Sequence, residues 1–244
     1  MSRLLAAMLW LPALSVAASA QQIDLGGLAQ ADGTTVGYII QMFGLLTVLS
    51  VAPGLLIMVT SFTRFVIAFS ILRSGMGLQS TPANLVLISL SLFMTFYVMS
   101  PAVDQAWSTG VQPLMNNQIT QQVAVERISS PFRDFMARNV RDKDYDLFAD
   151  LARERGDTNL ARDTVDLRVL VPAFMISEIR RGFEIGFLIV LPFLVIDLIV
   201  ATITMAMGMM MLPPTVISLP FKIMFFVLID GWNLLVGSLV RSFN

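Results

Sequence analysis

The sequence contains no cysteine and no histidine. It therefore has no thiolate nucleophile, no disulfide, no imidazole for acid–base chemistry and no zinc site of the common cysteine or histidine kind. The motifs of phosphate-binding loops, dinucleotide-binding turns, serine-hydrolase elbows and HExxH metalloproteases are also missing from it. We therefore predict that the chain is not an enzyme and that it needs no metal or cofactor.

Charged residues are scarce, at 14% of the chain, whereas 56% of the residues are hydrophobic. This balance lies outside the usual range of soluble globular proteins and is typical of membrane proteins. Of the 33 charged residues, 24 lie between Asp104 and Glu184, so a polar middle separates two apolar flanks. A net charge of -1 without a basic tract argues against a nucleic-acid partner.

The N-terminus has the pattern of a secretory signal peptide over residues 1–20. Arg3 supplies the basic region, Leu4–Val16 the apolar region, and Ala18-Ser19-Ala20 the small residues of a cleavage site. Cleavage after Ala20 would leave an extracytoplasmic segment over residues 21–35. The alternative is an uncleaved anchor, although the apolar region is short for a membrane span.

Four apolar segments predict the architecture of the rest of the chain. They pair into a first apolar helical hairpin over residues 36–101 and a second one over residues 185–244, on either side of a mostly helical periplasmic insert over residues 102–184. The fold class is therefore all-α, of the integral membrane type. The first hairpin would place Arg64 and Arg73 on the cytoplasmic side, in agreement with the positive-inside tendency of short loops. The four segments are Tyr38–Thr60, Leu85–Val98, Ile185–Met207 and Thr215–Val236.

Prolines and capping residues predict the helix boundaries. Ser130-Pro131 would begin one helix of the insert, a second would run from Asp144 to Gly156, and Pro172 would open a third that leads into the second hairpin. Other prolines are predicted to end, kink or break the apolar helices, because each removes a backbone hydrogen bond. These are Pro53, Pro101, Pro192 and Pro220.

The turn of the second hairpin is rich in methionine. Two prolines stop the preceding helix there and a glycine permits a sharp bend, so the methionines are predicted to lie on a turn. Their flexible apolar side chains would form a deformable constriction if several copies surrounded an axis. The alternative is that they fill space in a helix bundle. The residues of this turn are Met205, Met207, Gly208, Met209, Met210, Met211, Pro213 and Pro214.

Asp197 and Lys222 are ionisable groups within apolar segments, where an unpaired charge is costly. Both lie about equally far from the hairpin turn, so we predict that they contact each other. Glu178, or Arg180 and Arg181, are alternative partners. The pair could act as a proton or ion relay, or it could fix helix register or a subunit contact. Nearby, Gly182-x-x-x-Gly186 would permit close approach of another helix.

Many motifs of the chain resemble the FliP family, the P subunit of the flagellar type III export gate. Together they cover nearly the whole mature chain. The motifs are TSFTR from Thr60, LFMTF from Leu92, PFRDFMxR from Pro131, LFADLA from Leu147, GFEIGF from Gly182, PFLVIDL from Pro192, MGMMMLPP from Met207, LPFK from Leu219 and DGW from Asp230.

This resemblance implies a pore-forming subunit of the bacterial inner membrane, within the flagellar basal body. Its partners would be further copies of itself, the Q and R gate subunits (FliQ-like and FliR-like), other export and basal-body components, membrane lipid and unfolded export substrates. It also implies that several copies assemble helically around a pore, and we predict that Met209, Met210 and Met211 from these copies line its narrowest part. The virulence injectisomes have similar subunits. A small-solute secondary transporter and a purely structural membrane scaffold are the alternatives from other classes.

Overall fold

A computed structural model describes residues 33–156, 166–208 and 213–243 of the chain. The predicted signal peptide, most of the segment after it, and Met209, Met210 and Met211 lie outside the described residues. The chain divides into two compact units, residues 1–50 and residues 51–244. The sites below all lie in the second unit.

Every regular element within the described residues is a helix, which confirms the predicted all-α class. A π-helical turn, Trp107–Val111, joins the third helix to the fourth. The nine α-helices are α1 (Gly33–Met58), α2 (Phe62–Gly75), α3 (Asn84–Ala106), α4 (Gln112–Met115), α5 (Gln121–Asn139), α6 (Asp142–Glu154), α7 (Leu167–Ala206), α8 (Pro214–Leu228) and α9 (Gly231–Arg241), counted over the described residues.

Several predicted helix boundaries were wrong, because proline interrupts these helices less than expected. Pro101 lies inside α3, and Pro131 lies inside α5 rather than at its start. Pro172 and Pro192 both lie inside α7, a single helix of 40 residues. Each proline removes one backbone hydrogen bond, whereas leaving the helix in apolar surroundings would expose many unpaired backbone groups.

The helix of the last apolar segment is interrupted at a position that is not a proline. The sequence predicts one continuous segment over Thr215–Val236, but α8 ends at Leu228. Asp230 then adopts a left-handed backbone conformation with φ 52°, and α9 begins at the next residue. The axes of α8 and α9 differ by 64°. A left-handed residue cannot continue a right-handed helix, so it redirects the chain at this point.

By length and composition, two helical stretches could cross a membrane: Asn84–Met115 and Leu167–Ala206. A third crossing is possible if the bent pair α8 and α9 forms one span. The sequence predicts four apolar segments. The segment predicted over Leu85–Val98 is longer than expected, because its helix runs on through Pro101.

The interior of the second unit contains two apolar clusters. In the first, Phe65 and Phe69 of α2 pack with Phe193 of α7 and Phe226 of α8. The second joins α3, α5, α6 and α7, and includes Phe135 and Phe174 in an edge-to-face contact. Phe243, after α9, packs against both clusters. Helix α7 therefore contributes to both and organises the unit.

Candidate functional site

Helices α2 and α7 run in the same direction and approach closely. The side chain of Ile67 lies over Gly182, and that of Ile71 lies over Gly186. One turn further on the arrangement reverses, because Val190 of α7 lies over Gly75 of α2. Branched side chains of one helix thus occupy the space left by glycines of the other, as in close membrane-helix contacts. The prediction that Gly182 and Gly186 permit close approach of another helix is confirmed, and that helix is α2.

This packing predicts that Gly186→Ala destabilises the protein. The new Cβ atom would lie 2.8 to 3.1 Å from side-chain atoms of Ile71, too close for ordinary contact. We expect a loss of about 1–3 kcal/mol, the usual cost of overpacking. Thermal unfolding of the detergent-purified chain would measure it.

The matched control is Gly54→Ala in α1, where no atom lies within 4 Å of the added methyl group. Alanine there should leave the protein unchanged or stabilise it by up to about 1 kcal/mol, because alanine favours the helix. Adding Ile71→Ala to Gly186→Ala should restore part of the loss. Equal unfolding temperatures of Gly186→Ala and Gly54→Ala would contradict the close contact.

The most deeply buried ion pair joins Arg64 of α2 to Glu178 of α7. Both side chains are 0% exposed. Nε of Arg64 donates to Oε2 of Glu178 at 2.9 Å, and Nη2 donates to Oε1. This two-point geometry is the strongest form of an arginine–carboxylate contact.

Arg64 also binds the residues that follow α9. Its Nη1 donates to the carbonyl oxygen of Ser242 at 2.9 Å and to the Ser242 hydroxyl at 2.7 Å. The ring of Phe243 lies 3.5 Å from the guanidinium carbon, a cation–π contact. Burial lowers the pKa of Arg64, and the hydrogen bonds and charge of Glu178 act in the opposite direction. Since arginine is not deprotonated in proteins, the guanidinium is a charged junction between α2, α7 and the end of α9.

This junction was not predicted from the sequence. The sequence predicts Arg64 on the cytoplasmic side, between two apolar segments, and Glu178 as an alternative partner for Asp197 or Lys222. Instead, Arg64 belongs to a helix, and Glu178 is occupied by Arg64. A usable signal was present, because Phe65, Phe69 and Leu72 follow Arg64 at helical spacing and are all buried.

A second ion pair links α7 to α8. Nζ of Lys222 donates to Oδ2 of Asp197 at 2.6 Å and to the carbonyl oxygen of Gly75 at 3.0 Å. The Ser218 hydroxyl donates to the other oxygen of Asp197. Lys222 is 3% exposed and Asp197 26%. The site thus links the end of α2, the C-terminal quarter of α7 and the middle of α8, and one edge of Asp197 remains exposed.

Asp230, the other carboxylate of this region, takes no part in the pair. It lies at the break between α8 and α9, where its Oδ2 accepts a hydrogen bond from Asn233 at 3.1 Å. The contact between Asp197 and Lys222 is predictable from the sequence, whereas the hydrogen bonds of Ser218 and the Gly75 carbonyl are not. Every residue has a backbone carbonyl, so the sequence does not show that the one of Gly75 accepts a hydrogen bond. Serine is common in apolar helices, so Ser218 does not stand out either.

The structure describes both sides of the methionine-rich turn. Helix α7 ends at Ala206, and Gly208 then adopts a left-handed conformation with φ 73°. On the far side, Pro214 is the first residue of α8, preceded by Pro213. Met205 and Met207 are both exposed. Glycine at such a position ends a helix without steric strain. The described residues thus place the end of α7 and the start of α8 on either side of residues 209–212.

Comparisons with known proteins agree with the resemblance in the sequence motifs. Residues 45–239 match the model of the FliP family. The chain is 72% identical over 242 residues to the flagellar biosynthetic protein FliP of Agrobacterium fabrum, covering 98% of this chain and 97% of that protein. It is 46% identical over 215 residues to the protein of that name from Bacillus subtilis, covering 88% and 96% of the two chains. The chain is therefore a member of the FliP family of flagellar biosynthetic proteins.

Proposed function

We propose that this chain is a pore-forming subunit of the flagellar type III protein export gate in the bacterial inner membrane. Further copies and the Q and R subunits would complete the pore, and unfolded flagellar proteins would pass through it. The insert between α3 and α7 would face the periplasm. Membership of a flagellar biosynthetic family supports the flagellar role, and the surface of the chain supports the assembly.

The observation that carries the proposal is the apolar surface that a single chain leaves uncovered. In the most apolar stretches of α3 and α7, only 22% and 17% of the residues are buried within the chain. Large side chains such as Phe187, Leu198 and Ile203 of α7 are exposed. Lipid or neighbouring subunits must cover them.

Asp197 favours neighbouring subunits over lipid on its side of α7. Its carboxylate keeps one edge open although it lies within an apolar stretch. A charged edge that faces hydrocarbon is costly, so intramembrane carboxylates face protein or water-filled cavities. An assembly around an aqueous path satisfies this requirement, whereas a lone chain in lipid does not.

We infer that the methionine-rich turn closes the pore. The ion pair between α7 and α8 holds the two helices that lead into this turn. A closed pore must stop small ions, which requires a tight apolar constriction, whereas an open pore must pass polypeptides of any sequence. Methionine suits both requirements, because its side chain is apolar and can repack around different partners. The gasket would consist of Met209, Met210 and Met211, with Met205 and Met207 beside them.

The test is to replace Met209, Met210 and Met211 together by alanine. Shortening three side chains should leave the assembly intact but open the constriction, so ions should leak across the inner membrane. Leucine at the three positions should seal the pore and slow the secretion of flagellar proteins, because leucine is apolar but less adaptable. Membrane conductance, secreted protein and recovery of the assembly would be measured for each variant.

A matched control replaces three methionines outside the turn, Met58, Met115 and Met224, by alanine; all three are exposed. This variant loses the same side-chain volume away from the turn and should remain ion-tight. If the alanine variant of the turn assembles and stays ion-tight, the gasket is contradicted, and these methionines only fill space between helices.

A further inference from the structure

A cavity of about 820 Å³ lies between α3, α5, α7 and the end of α9. Tyr97 and Ser100 of α3 line it on one side, and Arg138 of α5 and Arg181 of α7 line it on others. Phe243 forms part of its wall. The cavity is separate from the Asp197–Lys222 site and from the methionine-rich turn.

The two charged residues that line this cavity are both cationic. Arg138 and Arg181 line it, and none of its lining residues is acidic. Within the described part of the chain, neither guanidinium forms an ion pair; Nε of Arg138 donates to the carbonyl oxygen of Asp134 at 3.2 Å. The nearby carboxylates are already occupied, Glu178 by Arg64 and Glu184 by Arg180. The cavity therefore presents two arginines with hydrogen-bond donors free for an anion.

An exposed apolar face leads away from the cavity along α3. Phe93 and Phe96 lie one turn before the lining residues Tyr97 and Ser100, on the same side of the helix. The two phenylalanines are 71% and 69% exposed, which is unusual for such large apolar side chains. An anion bound in the cavity would therefore lie beside an exposed apolar surface that hydrocarbon chains could contact.

The cavity also lies at the border between apolar and charged sequence on both long helices. Residues 84–103, which include most of α3, contain no charged residue, and Asp104 follows directly. On α7, Arg180, Arg181 and Glu184 precede residues 185–196, which again contain none. Tyrosine and arginine are enriched at this depth of a membrane protein, where the lipid headgroups lie.

We propose that this cavity binds the headgroup of an anionic phospholipid. The phosphodiester accepts hydrogen bonds from Arg138 and Arg181, whose planar guanidinium groups match phosphate geometry. Its acyl chains lie along Phe93 and Phe96. An acidic peptide would satisfy the arginines but not the exposed aromatic face, so lipid is the occupant that the surface favours. Basic pockets between the helices of other membrane proteins, on their cytoplasmic side, bind anionic headgroups by contacts of the same kind.

Native mass spectrometry of the full chain in neutral detergent tests the site. The chain would be titrated with phosphatidylglycerol or with phosphatidylcholine of identical acyl chains. Retention of phosphatidylglycerol should exceed that of phosphatidylcholine by roughly tenfold or more, since two arginines contribute near a headgroup. Arg138→Gln/Arg181→Gln should bring this ratio close to one.

The matched control is Arg153→Gln/Arg155→Gln in α6 and just after it, which removes the same charge from exposed positions outside the cavity. The control should keep the preference of the unaltered chain. Equal lipid preference of the two double variants would overturn the proposal. So would displacement of phosphatidylglycerol by inorganic phosphate at the concentration of the lipid, which would show a simple anion site.

A second measurement does not depend on the folding of the arginine variants. A photoactivatable residue at Ser100, in the otherwise unaltered chain in cells, should form an adduct with phospholipid. Adducts with a polypeptide alone would show that a neighbouring subunit occupies the cavity, and the proposal would fail.

Discussion

Replacing Glu178 by glutamine is expected to prevent stable accumulation of the protein in the membrane. The change leaves the Arg64 guanidinium, which is 0% exposed, without its counter-charge. Removing one partner of a buried ion pair typically costs about 3–5 kcal/mol, a large part of the stability of a domain. Membrane abundance of the chain and its resistance to protease would measure the effect.

The control removes both charges together. Arg64→Met/Glu178→Leu fills similar space with apolar atoms, and such replacements of buried pairs are often neutral or stabilising. We therefore expect the double variant to accumulate better than Glu178→Gln, although it loses the hydrogen bonds to Ser242. Abundance of the double variant at or below that of Glu178→Gln would show that charge pairing is not what stabilises this junction.

The second large effect is expected at Asp197 and Lys222, and it should be unequal. Asp197→Ala leaves the nearly buried ammonium of Lys222 with only the Gly75 carbonyl, whereas Lys222→Ala leaves a carboxylate that has an open edge and the Ser218 hydroxyl. The loss from Asp197→Ala should therefore be the greater. A double-mutant cycle should give a coupling energy of about 1–3 kcal/mol, measured by unfolding of the purified chain.

Asp230→Asn serves as the control for this pair, because Asp230 is another carboxylate of the same region and forms no ion pair with any residue that the structure describes. It should change stability by less than about 0.5 kcal/mol, since asparagine tolerates the left-handed conformation that Asp230 adopts. If the losses from Asp197→Ala and Lys222→Ala are additive, the predicted coupling of the two residues is contradicted. If Lys222→Ala costs as much as Asp197→Ala, the expectation drawn from their unequal burial is contradicted.

The features that sequence could predict are those that depend on neighbours along the chain. Apolar length predicted the helical class, and the distances of Asp197 and Lys222 from one turn predicted their contact. Gly208, Pro213 and Pro214 marked the turn because each acts on its own backbone.

The features that sequence could not predict arise from contacts between distant segments. Arg64 and Glu178 are separated by 114 positions, and nothing local indicates that α2 lies parallel to α7. The predicted boundaries of α5 and α7 were wrong for a related reason. Proline disfavours a helix locally, but packing against other helices decides whether the helix continues.

The separation of Arg64 from Glu178 also has a consequence for synthesis on the ribosome. At about 5–20 residues per second, the 114 residues that follow Arg64 take roughly 6–23 seconds to make. During this interval the arginine has no counter-charge from α7, so α2 cannot yet be buried in its final position. Until then the charge of Arg64 must be solvated by water or by lipid phosphates. The packing of α2 against α7 can therefore be completed only after α7 has been made.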